Sequence, residues 1–577
     1  MRRFFQNRWH RFSQTPFGLL LRLFVARMFH GGGEPGGEDL NLGVGVILIL
    51  LAMPGILVSL LMFEKYGSLI RFLRGQRAFD PFTATAPDEY FFIVLSLVVT
   101  GVAALWRWDA IFLDRRDYMN LVPLPISLRA IFFANLTAVL VLAGLFTIVV
   151  NAASLILYPI AVVGSQNSFG VLFRFAAGHA AAVFLASAFS FFAVFALAGL
   201  LMAITSAKLF RRISLSIRFL LALVLLALFA SSFTVPYLLT QLSVANAHRV
   251  SVLPPISFLG VARTVWLARA DPFTASMARA ALSSLGAALF VAAVAYALSF
   301  RRTFLRIPEL ADAGPLPRTR RSVSFLAPFH TWMLRSPEQR ACYLFVGRTL
   351  LRSDGHLQIV LGFAALGIVA AAEALASAPH LPSFLQDRAP SVEFLSLPFI
   401  LSYCLLVGIR FAFEMPADLR ANWVFRFWLD TDRNDARAIA RRVLLAFSLS
   451  WLAPATFFIT LSFWSLTRAL IHTAILIACS SVLAELLLVR FRKIPFTCSY
   501  PQFESHSGLV AAAYFLGFFL FTGYLPELDR LAVLNPLHAL WFVPLLSLTL
   551  IAIRSYRKQM LDMDKALVFE ETSASIF

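Results

Sequence analysis

Residues 114–127 read Asp114-Arg115-Arg116-Asp117-Tyr118-Met119-Asn120-Leu121-Val122-Pro123-Leu124-Pro125-Ile126-Ser127, a charged run that ends in a Leu-Pro-Leu-Pro turn. The segments on either side, 90–106 and 130–157, are long and apolar and are predicted to span a membrane. The stretch between them is too polar to lie in hydrocarbon, where unpaired backbone groups are costly. It is therefore predicted to lie at a membrane face, and its prolines stiffen the chain where it re-enters the membrane.

The composition of the chain is typical of a membrane protein. Of the 577 residues, 59% are hydrophobic and 14% are charged, whereas a soluble chain has about 25% charged residues. Soluble cores stop growing at about 250–300 residues, so this much apolar surface has to be covered by lipid. The membrane lipids are accordingly the first partner that the sequence predicts.

The charge of the chain is strongly positive, with a formal net charge of +19. The Lys and Arg residues stand in short clusters beside the apolar segments, and no separate basic domain carries them. This distribution indicates a topology signal and contact with anionic lipid, and it argues against nucleic acid as a partner.

Apolar segments predict an all-α integral membrane protein of about twelve transmembrane helices in two six-helix repeats. Residues 1–41 are predicted to form an amphipathic interfacial helix and a Gly-rich linker. A first six-span half, a cytoplasmic connector, a second six-span half and a cytoplasmic tail follow at 42–299, 300–355, 356–553 and 554–577. The spans are predicted at 42–62, 90–106, 130–157, 175–205, 217–240, 277–299, 356–377, 394–411, 444–464, 469–489, 509–523 and 533–553.

The Lys and Arg bias predicts that both termini are cytoplasmic. One loop disagrees, because residues 63–89 would lie outside and yet contain Lys65, Arg71, Arg74 and Arg77. Four acidic residues, Glu64, Asp80, Asp88 and Glu89, balance those charges. The cytoplasmic Arg clusters and the lack of external cysteines suit a bacterial cytoplasmic (inner) membrane.

The second half contains a long loop of its own after its second span. Pro416 suits the first turn of a helix, and Leu419, Trp423 and Phe427 recur every four residues. These residues predict an interfacial helix with aromatic anchors. Like residues 114–127, it is a candidate coupling segment, which is a segment at the membrane face on which a partner can push. Its candidate residues are Glu414, Pro416, Asp418, Arg420, Trp423 and Arg426.

No catalytic motif is found. The sequence has no Gly-x-x-x-x-Gly-Lys-Ser/Thr, no His-Glu-x-x-His and no dinucleotide-binding Gly-x-Gly-x-x-Gly, and its acidic residues are dispersed. Cys342, Cys404, Cys479 and Cys498 do not have the spacing of metal ligands. We expect this chain not to be an enzyme and to hold no cofactor or metal itself.

Ionisable residues inside predicted spans are the default functional candidates of a membrane protein. They are His179, Glu373, His472 and Glu485. Glu373 and His472 are predicted near outer ends that water reaches, and Glu485 near the cytoplasmic end, about one turn before Arg490. For each of them the alternative to a functional role is a side chain that snorkels to the interface or pairs with a neighbouring helix. Their small number argues against a proton-coupled carrier.

The elbow Leu124-Pro125-Ile126-Ser127, with charged residues before it and Arg129 after it, resembles the segment after the second span of ABC-2 type transporter permeases. The six-span unit and the N-terminal amphipathic helix are also similar to that family. The resemblance implies that a separate cytoplasmic ATPase, which carries ATP and Mg²⁺, pushes on coupling residues of this chain. The residues that match are Asp114, Arg115, Arg116, Asp117, Pro123, Leu124, Pro125, Ser127 and Arg129.

The second half departs from this pattern, since it has Met415-Pro416-Ala417-Asp418-Leu419 in place of Leu-Pro-x-Ser. We expect the membrane-spanning component of an ABC-2-like exporter, in which two fused halves form a pseudo-dimer within one chain. Two alternatives from other classes stay open: a secondary transporter driven by an ion gradient, and a membrane scaffold or assembly protein that transports nothing.

Overall fold

The computed structural model describes residues 15–29, 52–53, 55–69, 85–106, 108, 119–121, 123–164, 168–232, 254–266, 272–300, 337–376, 390–417, 433–489, 491, 493–497 and 507–563. Every regular element among them is a helix. Ten of the described helices are long and apolar enough to cross a membrane, which confirms an α-helical integral membrane protein. The chain divides into two compact units, Met1–Pro317 (unit 1) and Arg318–Phe577 (unit 2).

Unit 1 is a helical bundle built around its longest pair of helices. Helix α5 lies at its centre and packs against α3, α4, α7 and α8, while α1 packs against α4 and α6 against α3. The described helices are α1 (Pro16–Phe29), α2 (55–69), α3 (Ala86–Trp106), α4 (Leu128–Val163), α5 (Phe169–Ile204), α6 (Ala207–Ser231), α7 (Pro254–Trp266) and α8 (Pro272–Ser299).

Helices α4 and α5 are longer than the predicted spans 130–157 and 175–205. Each has 36 residues and is therefore about 54 Å long, compared with about 30 Å for the hydrocarbon core of a bilayer. Gly164, with φ +49°, terminates α4. The predicted span in α4 ends six residues early and the one in α5 begins six residues late, although the missed residues, 158–163 and 169–174, are largely apolar.

Unit 2 is a second bundle, in which α11 packs against α10, α12, α13 and α15. Gly408 of α11 allows a close approach of α10, since a Cβ at this position would lie 2.6 Å from Phe363 Cβ. The described helices are α9 (Pro337–Arg352), α10 (Asp354–Ala376), α11 (Val392–Ala412), α12 (Arg433–Phe463), α13 (Leu466–Leu487), α14 (Ser507–Phe519), α15 (Leu525–Leu534) and α16 (Phe542–Met563).

Helices α14 and α15 are joined by a π-helical turn, Leu520–Tyr524, so that residues 507–534 are helical without a break. A 3₁₀ turn, Pro536–Trp541, then leads into α16. The sequence predicted one span at 509–523 and a non-spanning segment before 533. The actual helix continues through that segment and buries Pro526, Asp529, Ala532 and Val533.

The predicted connector and the predicted N-terminal helix can each be compared with described residues. Residues 337–352 of the predicted connector form α9, which packs against α10 and α12 and so belongs to unit 2. Residues Pro16–Phe29 of the predicted N-terminal helix form α1, which buries Leu20 and Phe24 and exposes Leu19 and Leu23. The Gly-rich linker, most of the predicted span 42–62 and the tail after residue 563 lie outside the described residues.

Candidate functional site

The elbow and the described coupling residues next to it lie at the start of α4. Pro123, Leu124, Pro125, Ser127 and Arg129 are all exposed side chains. Asp114, Arg115, Arg116 and Asp117 lie outside the described residues. Four of the five described residues precede α4, so the sequence correctly located the end of one long helix and the start of the next.

Local hydrogen bonds give the elbow a defined shape. The Leu124 N–H donates to the Leu121 carbonyl at 3.2 Å, and the Ile126 N–H donates to the Leu124 carbonyl at 2.7 Å. Ser127 is the N-cap of α4, because its Oγ accepts from the Ala130 N–H at 3.3 Å. Leu121 is buried. The elbow therefore has a packed base, a capped helix behind it and an exposed proline-rich tip.

The second predicted coupling segment differs from an exposed interfacial helix over its described part. The Glu414 carboxylate pairs with Arg410 and Lys493. The Ala417 N–H donates to the Phe496 carbonyl at 3.0 Å, and the Phe496 N–H donates to the Phe413 carbonyl at 3.3 Å. The segment after α11 is thus tied to the chain that follows α13.

Electrostatics fix Glu414 in its charged form. Burial by itself would raise the pKa of the carboxyl, but Arg410 and Lys493 outweigh burial and hold the pKa below its usual value. Pro416 is half-buried beside it. The remaining candidates of this segment, Asp418, Arg420, Trp423 and Arg426, lie outside the described residues.

Glu485 is held by two arginines of the neighbouring helix. Its Oε1 lies 2.5 Å from Arg441 Nη1 and its Oε2 lies 3.3 Å from Arg437 Nη2. Both arginines are on α12, whereas sequence reasoning considered Arg490, which lies outside the described residues. This contact joins α12 to α13, as the helix-paired interpretation expects.

A buried cluster in unit 1 joins α3, α4 and α5. His179 Nδ1 lies 3.1 Å and 2.8 Å from the two carboxylate oxygens of Glu89, and His179 Nε2 lies 3.3 Å from Ser154 Oγ. The side chains of His179 and Glu89 are fully buried. The Ser154 hydroxyl donates to the Asn151 carbonyl at 3.0 Å. The imidazole is thus held at both ring nitrogens, by Glu89 of α3 and by Ser154 of α4.

A second carboxylate lies next to this cluster. Lys65 Nζ lies 2.7 Å from Asp88, and the Tyr66 hydroxyl donates to the same carboxylate. The Tyr158 hydroxyl donates to the Thr85 carbonyl at 3.4 Å. Of the charges that the sequence balances within residues 63–89, Lys65 and Asp88 form an ion pair, and Arg71, Arg74, Arg77 and Asp80 lie outside the described residues.

Aromatic rings enclose the unit 1 cluster. The rings of Phe92 and Tyr158 lie 5.5 Å and 5.0 Å from the imidazole of His179. Trp266 of α7 stacks on Phe175 at 4.9 Å and donates from Nε1 to the Phe175 carbonyl at 3.2 Å. Gly178 permits this packing, since a Cβ there would collide with the indole and lie 2.9 Å from the Ala262 carbonyl oxygen.

Unit 2 has a buried pair of similar composition. His472 Nδ1 on α13 lies 2.5 Å from Asp529 Oδ2 on α15. Both residues are fully buried, so the expectation that water reaches His472 is wrong. The rings of Phe399 and Trp464 lie 6.1 Å and 6.4 Å from the imidazole. The remaining candidate, Glu373, is half-buried near the end of α10.

Sequence reasoning missed Glu89 and Asp529. It placed Glu89 in a loop, although Asp88 and Glu89 are the acidic first turn of α3, a position that the helix dipole favours. Asp529 was missed because the π turn carries the helix further than the apolar run. With these two carboxylates, buried ionisable groups are more numerous than the sequence suggested, which weakens the argument against proton coupling.

The three cysteines that the structure describes, Cys342, Cys404 and Cys479, are buried and form no disulfide with one another. No cluster of three or more His, Cys, Asp or Glu side chains that would hold a metal ion is found among the described residues. Comparisons with protein-family models, with characterised proteins and with solved structures find no match to this chain. Arguments about function accordingly rest on the elbow and the two buried histidine–carboxylate pairs.

Proposed function

We propose that the protein is the membrane-spanning permease component of an ABC-2-like exporter, energised by a separate cytoplasmic ATPase. The observation that carries this proposal is the exposed, proline-stiffened elbow fixed directly to the start of α4. Leu124 is 47% exposed and stands between two exposed prolines, Pro123 and Pro125. This apolar tip of the turn is the contact that we assign to the partner protein.

Helix α4 gives the elbow a mechanical connection to the rest of unit 1. Ser127 caps the helix, and Ser154 of the same helix contacts His179. The internal proline of α4, Pro159, follows Ser154, so no proline interrupts the helix between these two contacts. A force applied to the elbow is thereby transmitted along hydrogen-bonded helix to the interior of the unit.

The proposed permease has a defined orientation in the membrane and is formed by one chain. With both termini cytoplasmic in a bacterial inner membrane, the elbow faces the compartment that contains ATP. The two units are the fused halves of a permease pseudo-dimer, with six spans each. The Glu414 segment is the second coupling segment, and its ties to residues 493–497 support a role in passing force from α11 to the chain after α13.

The proposal is tested by purifying the tagged full-length chain in mild detergent and identifying co-purified proteins by mass spectrometry. We expect an ABC-type ATPase. The paired substitutions Leu124→Ala and Pro125→Ala are expected to abolish its recovery without changing thermal unfolding, because both side chains are exposed. Ile156→Ala, an exposed position on the same helix, is the matched control and retains the ATPase.

Two outcomes count against the proposal. One is a preparation without any ATPase, even after crosslinking in the native membrane. The other is equal recovery of the ATPase with the elbow variant and with Ile156→Ala, which would place the contact elsewhere.

A further inference from the structure

The two buried histidine–carboxylate pairs differ in their hydrogen bonding. In unit 1 every polar atom of the pair has a partner: both oxygens of Glu89 contact His179 Nδ1, and His179 Nε2 contacts Ser154. In unit 2 only one contact joins the pair, from His472 Nδ1 to Asp529 Oδ2. His472 Nε2 and Asp529 Oδ1 are buried and have no hydrogen-bond partner among the described residues.

Such unpartnered atoms are costly and therefore informative. A buried donor or acceptor without a partner costs about 1–3 kcal/mol, and more if the group is charged. Native proteins contain few of them, and each one calls for a reason. Among the described residues the aromatic rings that face the His472 imidazole, Phe399 and Trp464, offer it no hydrogen bond.

The positions of the two unpartnered atoms fit proton exchange. The contact between the two helices uses Nδ1 of the imidazole and Oδ2 of the carboxylate. A proton is gained or lost at the other atom of each group, Nε2 or Oδ1, while that contact stays intact. These are the atoms that the structure leaves open in unit 2 and engages in unit 1. The His179–Glu89 pair has no corresponding open atom.

The helix that carries Asp529 is irregular next to the pair. The π turn Leu520–Tyr524 ends five residues before Asp529, and Pro526 contributes no backbone N–H to the turn between them. π turns inside helices are rare and often occur at functional sites. The aspartate thus lies directly after an irregular turn of its helix.

Other ionisable groups lie on the elements packed around the pair. The charge of Asp529 acts on Cys479 of α13. Among the described residues, no salt bridge joins His472 or Asp529 to any other charged group. Among the side chains that the structure describes, the other charged or titratable groups on the elements packed around the pair are Glu393, Tyr403, Cys404 and Arg410 of α11, Arg437, Arg441 and Arg442 of α12, Arg468 and Glu485 of α13, Tyr524 of the π turn, Glu527 and Arg530 of α15, His538 of the 3₁₀ turn, and Arg554, Tyr556 and Arg557 of α16.

We propose that His472 and Asp529 form a protonation site, whereas His179 and Glu89 form a fixed structural pair. In the loading step Asp529 Oδ1 gains one proton, which a hydronium ion of the bulk solvent gives up as it becomes water, and the net charge of the pair rises by one. The reverse step returns the carboxylate. This site is independent of the proposed permease function, since it requires neither an ATPase nor a transported substrate.

The test is infrared difference spectroscopy of the purified full-length protein in lipid, titrated from about pH 5.5 to about pH 9. Exposed Asp and Glu are already ionised in this range, since their ordinary values are about 3.9 and 4.3. A carboxyl group cut off from water is harder to ionise. We therefore expect a protonated-carboxyl band that grows as the pH falls, is lost in Asp529→Asn and is retained in Glu89→Gln.

Gel filtration and thermal unfolding check that each variant is folded. If Asp529→Asn does not fold, the wild type labelled with ¹³C at the aspartate carboxyl group replaces it, because the label shifts an aspartate band and leaves glutamate bands in place. A wild type with no titrating aspartate band in this range overturns the proposal. So does a band that persists in folded Asp529→Asn or disappears in Glu89→Gln.

Discussion

His179 Nδ1 lies 2.8 Å from Glu89 Oε2, although ninety residues separate the two in sequence. Glu89 is in the first turn of α3, and His179 lies within α5. Neither side chain is exposed. The pair joins α3 to α5 near the end of the bundle at which α3 begins, and the elbow lies at the opposite end of α3.

Removal of the histidine is expected to destabilise the protein strongly. His179→Leu leaves the Glu89 carboxylate buried without its partner, and breaking a buried ion pair in this way costs about 3–5 kcal/mol. Thermal unfolding in detergent measures the loss. Lys65→Ala is the control, because Lys65 is 51% exposed and such pairs contribute about 0–1 kcal/mol. Equal losses of stability in the two variants would show that the buried pair contributes no more to the free energy of unfolding than the exposed pair does.

A glycine substitution tests the packing of α7 on α5. Gly178→Ala places a Cβ against the Trp266 indole and the Ala262 carbonyl, so we expect a loss of about 1–3 kcal/mol from overpacking. Gly144→Ala in α4 meets no atom within 4 Å and is expected to stabilise the helix by about 0.5–1 kcal/mol. Thermal unfolding compares them, and a shift of the same sign in both variants would contradict the packing argument.

The cap of α4 is tested by two serine substitutions. Ser127→Ala removes the acceptor of the Ala130 N–H and is expected to cost about 1 kcal/mol. Ser168 occupies the same position before α5 but makes no side-chain cap hydrogen bond, so Ser168→Ala is expected to be nearly neutral. Chemical or thermal unfolding of both variants, measured side by side, checks the difference, and the opposite ranking would exclude Ser127 as the cap.

Glu414 predicts a dependence of stability on pH. Its pKa is held below the usual value, so the folded protein binds this proton more weakly than the unfolded chain does. The stabilisation is present above about pH 4.5 and is lost as the pH falls through the lowered pKa. At pH 7, Glu414→Gln should therefore have a lower unfolding temperature than the wild type, and its free energy of unfolding should be smaller by about 1–3 kcal/mol.

The difference between wild type and Glu414→Gln is expected to shrink when unfolding is repeated below about pH 4. Glu527→Gln serves as the control, because Glu527 is 53% exposed and pairs with Arg530 one turn away, which contributes little at any pH. A difference that does not change with pH would mean that Glu414 acts through packing and not through its charge.

Sequence patterns predicted the elements whose causes are local. The elbow was predicted because two prolines and a serine cap stand between apolar runs, and α1 because its apolar residues repeat with the helical period. The last turns of α4 and the first turns of α5 were not predicted, since residues 158–163 and 169–174 extend these helices beyond the length that crosses a bilayer. Glu89 and Asp529 were missed for a different reason: the partner that makes each carboxylate tolerable inside a bundle is distant in sequence and emerges only from packing.

Because α4 is long, a small tilt of this helix displaces its residues inside unit 1 by ångströms. Ser127 and Ser154 are 27 residues apart on one helix, a distance of about 40 Å. A tilt of about 5° around the middle of such a rod moves each end sideways by about 2 Å. That is enough to separate Ser154 Oγ from His179 Nε2, which lie 3.3 Å apart. A small rotation of the elbow is thus equivalent to making or breaking one hydrogen bond inside the bundle.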